Sequence, residues 1–163
     1  MTRPVFGLLL VAAALLQTAL LPRWQLLAVA PGLVVVLILA WSAFRGVPEA
    51  LIWVFFAGML LDVLGMDRLG ANALALLPVA LIGGLSHGRF FHSALIFPMA
   101  LAIVATFVYV AVLLALRGML GEGGDAAQAL GRVTLLQALL NAILVPPVYG
   151  LLSWLHRTEP ERA

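Results

Sequence analysis

The 163 residues are 64% hydrophobic and 10% charged, with a mean hydropathy of +1.16 and a formal net charge of +2. A water-soluble domain carries about 25% charged residues to keep its surface hydrated, so a soluble globular domain is excluded and lipid is the expected solvent of most side chains. Cysteine is absent, which removes disulfide frameworks, thiol catalysis and thiolate metal sites, and the nine arginines form no basic cluster of the kind that binds nucleic acid or an acidic lipid surface.

The charges divide the chain. Fifteen of the sixteen Arg, Asp and Glu residues fall between or outside long apolar runs, and only Asp62 interrupts one. A bilayer core about 30 Å thick takes roughly 20 residues of helix. That predicts six spans, at about residues 5–21, 31–44, 48–66, 70–86, 93–116 and 133–155, in one multi-pass domain over 1–163. Continuous runs such as Leu33 to Ala40 lack the alternation of barrel strands, and helices satisfy their own backbone in lipid. The expected fold is therefore an all-α integral membrane protein, a six-helix transmembrane bundle. The longest polar connection, residues 118–132, leaves no room for an extramembrane domain.

In chain order, the first apolar run is too long for a secretory signal and precedes no convincing cleavage site, so it is expected to be retained as a helix. The second contains Pro31-Gly32. Proline lacks a backbone donor and disfavours helix in the residue before it, so a short helix starting near Pro31, after an interfacial segment with Trp24, is preferred to a kinked full span. The third run ends on Asp62, five residues before Asp67. An acid in a span is costly and by default a functional candidate. Close to an interface, however, it can also stay hydrated, cap loop amides or pair with Arg68.

The fourth run repeats small residues at Ala71 and Ala75, then Ala80, Gly84 and Gly88, and the fifth does so at Ala111 and Ala115. Small residues let helix backbones approach closely, and packing within the bundle is expected to use them. Between these runs, His87, Arg89 and His92 with Phe90 and Phe91 read as an interfacial anchor rather than a metal site. Residues 121–125 read as a flexible turn, without a phosphate-binding motif. The last run places Thr134, Gln137 and Asn141 on one helix face, followed by Pro146 and Pro147, which should kink or break the helix. These polar residues, and Gln17 in the first run, are either interhelical hydrogen-bonding groups or the wall of a polar cavity.

Charge in alternate loops is nearly balanced, with Arg3, Arg45, Arg89, Arg157 and Arg162 against Arg23, Arg68, Arg117 and Arg132. The rule that positive loops stay inside leans toward cytoplasmic termini. Catalysis is not expected. Asp62 and Asp67 are five apart and point to nearly opposite sides of a helix, unlike the paired acids of aspartyl lipoprotein signal peptidases. Ser42, Ser86, Ser93 and Ser153 lack a nucleophile turn.

The order of features resembles the rod-shape-determining protein MreD family. The matching stretches are Pro31-Gly32-Leu33, Arg45-Gly46, Gly58-Met59-Leu60-Leu61-Asp62, Leu69-Gly70-Ala71-Asn72-Ala73-Leu74, and Asn141 followed by Pro146. The likeness extends over essentially the whole chain and is most specific from Arg45 to Leu74. Gly32 and Val54 depart from the residues common in the family. The resemblance implies a non-enzymatic scaffold of the cell-wall elongation machinery in the bacterial inner membrane, which binds MreC and, through that assembly, RodA, a class B penicillin-binding protein and MreB.

Partner-binding or structural candidates are Arg45, Gly58, Asp62, Gly70, Asn72, Gly84, Gln137, Asn141 and Pro146, with no cofactor, metal or catalytic residue expected. The family is also similar to the six-helix substrate-capture subunits of energy-coupling-factor transporters. That implies a second expectation, a vitamin-type small-molecule binder, although the Ala-x-x-x-Ala docking pattern of those subunits is missing: Ala12 is followed by Leu16, and Ala13 by Gln17.

Overall fold

A backbone in lipid has no water to bond, so each apolar run closes its hydrogen bonds within itself. The computed structural model describes residues 2–20, 31–66, 68–86, 96–119 and 126–157, and they form helices joined by short turns. These are α1 (Thr2–Leu15), continued by a π-helical turn (Leu16–Leu20), α2 (Leu33–Arg45), α3 (Val47–Gly65), α4 (Ala71–Leu85), α5 (Ile96–Met119) and α6 (Ala126–Arg157). No strand occurs among the described residues. Trp24, Asp67, the anchor at His87, Arg89 and His92, and the turn at 121–125 lie outside them.

The six helices are unequal. By length and composition α3, α5 and the Val133–Trp154 part of α6 are sufficient to cross a membrane, whereas α1, α2 and α4 are shorter. At about 1.5 Å per residue, the 13 residues of α2 reach only about two thirds of a 30 Å hydrocarbon core.

The shortest of them is the centre. Every residue of α2 from Val34 to Ala43 is buried, and α2 packs against each of the other five helices. An apolar helix without a polar face must be surrounded by protein or by lipid, and here it is surrounded by protein. At its C-terminal end Trp41 stacks on Phe6 of α1 at 3.9 Å between centroids, and Trp53 of α3 meets the Phe6 ring edge-on at 5.2 Å. Arg45 sits 5.8 Å above the Trp41 ring, within cation–π range. An exposed Arg3–Glu49 ion pair at 3.1 Å joins α1 to α3 at the same end.

Helix contacts are closest where side chains are smallest. A β-carbon on Gly58 of α3 would fall inside the backbone of Ala73 in α4. Gly83 lies against the Leu39 carbonyl of α2, and Gly84 against Val47 of α3. Ser42 of α2 donates to the Ala80 carbonyl of α4. Of the small-residue stripe of α4, Ala75 and Ala80 are buried and Ala71 and Gly84 half-buried, with Gly83 buried beside them, so these positions face the bundle interior. Ala111 and Ala115, by contrast, are exposed on α5.

Of the kink or break expected at Pro146 and Pro147, the break does not occur: α6 runs through both to Arg157. Pro78 likewise lies within α4. A membrane helix tolerates proline where neighbouring groups and local adjustment satisfy the freed carbonyls.

Candidate functional site

A helix begins with unpaired N–H groups that water would satisfy at a protein surface. In an apolar bundle they need acceptors from protein, and the intramembrane polar residues of this chain supply them.

The first set centres on Asp62, in the last turn of α3 and 1% exposed. The chain leaves α3 through Met66 in the left-handed conformation (φ 54°) and enters α4 through Gly70 (φ 94°). Glycine adopts that geometry without penalty. This tight reversal returns the start of α4 to the Asp62 carboxylate. Gly70 N–H donates to Asp62 Oδ2 at 2.6 Å, while Asn72 N–H and Asn72 Nδ2 donate to Oδ1 at 3.0 and 2.8 Å. The Asn72 side-chain oxygen accepts in turn from the Tyr109 hydroxyl of α5. The buried carboxylate thus receives three N–H donors and sits at the positive end of the α4 dipole. Hydrogen bonds to a charged group typically contribute about 1.5–3 kcal/mol each, so this cluster ties α3, α4 and α5 together at one point.

The second set serves α2. Gly32, its N-cap, donates its N–H to Asn141 Oδ1 at 2.7 Å, although Asn141 lies about midway along α6. Asn141 Nδ2 donates to Thr106 Oγ1 of α5 at 2.9 Å, and the Thr106 hydroxyl donates to the Ala102 carbonyl at 2.7 Å. From the π-helical turn, Gln17 Oε1 accepts the Val34 N–H at 3.3 Å. Pro31-Gly32 therefore ends on a buried acceptor. The Asn141 contact also explains Gly32, because a β-carbon there would come within 3.0 Å of Asn141 Nδ2. Replacing Asn141 with leucine leaves the Gly32 N–H without its acceptor and lowers stability by roughly 1–3 kcal/mol, the usual effect of an unsatisfied buried group. An unchanged midpoint in a denaturing-detergent titration contradicts this assignment.

The candidate residues fall into groups. Asp62, Gly70 and Asn72 meet in one cluster, and Asn141 holds the start of α2. Gln137, one turn before Asn141, lines a cleft beside both clusters. Gly58 and Gly84 are helix contacts, Arg45 covers Trp41, and Pro146 is half-buried within α6. Two members, Tyr109 and Thr106, escaped the sequence reading. Their signal is a stripe on α5, Ala102, Ala105, Thr106 and Tyr109, at helical spacing and buried throughout.

Buried polar side chains that hold the starts of short helices tie these segments into an all-α membrane bundle. Among the described residues no group of three His, Cys, Asp or Glu could hold a metal ion. The family comparison is specific: the model of the rod shape-determining protein MreD matches residues 2–155, and the chain belongs to that family. It is thus a membrane protein of the cell-shape machinery. No curated protein and no solved structure matches the chain.

Proposed function

We propose that the protein is a non-enzymatic scaffold, crossing the bacterial inner membrane six times with both termini in the cytoplasm. In this reading it holds the transmembrane helix of MreC and so helps to maintain rod shape. RodA, the class B penicillin-binding protein and MreB are reached through the same assembly. The family match over residues 2–155 carries this reading.

A groove between α3, α4 and α5 offers a place for the partner helix. It has a volume of about 690 Å³ and is walled by apolar side chains, among them Leu51, Phe55, Leu74 and Leu77, over a floor of Gly70, Ala71 and Ala73. Water does not drive helices together in lipid, so association there depends on close packing, which small residues permit.

Photocrosslinkers at Leu74 and Leu77 are expected to capture coexpressed MreC, while one at the exposed Ile143 of α6 captures far less. Ala71→Phe, which fills the floor, is expected to cut copurified MreC by at least about tenfold, equivalent to 1.4 kcal/mol. Equal capture from α6 and α4, or undiminished copurification, rejects the groove. Loss of MreC from the unaltered protein rejects the scaffold itself.

A further inference from the structure

Helices α3 and α4 lie along each other from end to end. Asn72 meets Asp62 near one end, Ala73 meets Gly58, and Gly84 meets Val47 at the other end. Polar groups bound the pair on both sides. On α3, Glu49 pairs with Arg3 at the start, and Asp62 holds the reversal near the finish. On α4, Arg68 precedes the N-cap Gly70, and the helix stops at its C-cap Ser86, with His87 next in sequence.

Between those bounds the apolar course is short. Ala50 to Gly65 of α3 and the 15 residues of α4 each rise only about 22–24 Å. The adjoining α5 is uncharged from Ile96 to Leu116, about 31 Å, which matches a hydrocarbon core of about 30 Å. For α2 a short length is harmless, because protein surrounds it. The α4 helix, by contrast, is open on one face. Leu77, Leu81 and Leu85 form an exposed stripe at four-residue spacing, and the last two lie beyond the α3–α4–α5 groove. Ile52, Phe56 and Val63 are exposed on α3.

A span shorter than the core is accommodated by a thinner bilayer, by long side chains reaching outward, or by association with other helices. Arg68 can reach outward. The backbone cannot, and the last carbonyls of a helix need water or another donor, which hydrocarbon does not supply. We infer that the α3–α4 hairpin is a surface for a locally thinned bilayer, with a core of about 22–24 Å on this side of the bundle and full thickness beside α5. The lipid that fits it has short or readily disordered acyl chains. This inference needs α4 to cross the membrane and is independent of MreC.

The test uses the isolated full chain in vesicles of phosphatidylcholine with monounsaturated chains of either fourteen or eighteen carbons. Because the sequence contains no cysteine, Leu69→Cys and Leu85→Cys, both at exposed sites, place single nitroxide labels at the two ends of α4. Relaxation by a water-soluble nickel chelate marks the headgroup region, and relaxation by oxygen marks the hydrocarbon. Both end labels are expected to keep a nickel-dominated signal in both lipids, while a label at Leu77→Cys, mid-helix, stays oxygen-dominated. A label at either end that turns oxygen-dominated in the eighteen-carbon lipid overturns the thinning, because the hairpin then sits in an unperturbed core. An impermeant thiol reagent that reaches both end cysteines from the same side of sealed vesicles rejects the crossing of α4 itself.

Discussion

Replacing Asp62 with alanine is expected to destabilise the protein by about 3 kcal/mol or more, since each of three buried N–H donors left without an acceptor costs about 1–3 kcal/mol. The substitution strips the acceptor from Gly70 N–H, Asn72 N–H and Asn72 Nδ2 at once. It also frees the Asn72 amide that receives the Tyr109 hydroxyl, so the start of α4 and its tie to α5 loosen together. Asp62→Asn should be milder, because one side-chain oxygen still accepts while the new amide presents a donor to a set of donors. Denaturing-detergent titration read by tryptophan fluorescence ranks the three proteins. In cells, Asp62→Asn should weaken MreC recovery and rod shape in proportion to lost folded protein. Parent-like stability with lost MreC binding would transfer Asp62 from a structural role to direct contact with the partner.

Gly58→Ala is the second large effect. A methyl group at this position meets the Cα and N atoms of Ala73, which are backbone and cannot swing aside, so α4 must shift as a body. Overpacking of this kind typically costs about 1–3 kcal/mol. Here the shift also acts on Asn72, the next residue back along α4, and hence on the Asp62 cluster. Gly118→Ala and Gly150→Ala are the controls, since both lie within helices and a β-carbon there meets nothing within 4 Å. They should be neutral or stabilise by up to about 1 kcal/mol, the helix propensity difference. A Gly58→Ala protein as stable as these two would show that α3 and α4 are not held in the close contact described.

The two predictions differ in how much of them was legible beforehand. Asp62 stood out as the one acid in an apolar run, and loop-amide capping was among its readings. The choice between capping and pairing with Arg68 needed the reversal through Met66 and Gly70, which no local pattern specifies. For Gly58 the sequence offered a glycine in a family-like stretch, and its opposite number in α4 was unknowable from spacing. At Pro146 and Pro147, where the sequence allows a kink or a break, the helix continues, because neighbours in a bundle satisfy carbonyls that proline leaves free.

Composition gave the solvent, and the placement of the charges and the continuous apolar runs gave the helical state and the number of helices, since a backbone in lipid must satisfy itself and the alternation of barrel strands is missing. The same arithmetic marked nearly every polar residue that later mattered. The tertiary structure decided which helix is central and which polar groups meet. In water, an apolar stripe on a helix points to the core; in a bilayer, lipid and core are equally apolar, and hydrophobicity no longer tells inside from outside. The information that remains lies in polar and small residues whose partners are distant in sequence, 37 positions from Tyr109 to Asn72 and 109 from Asn141 to Gly32. Only the folded chain brings those together.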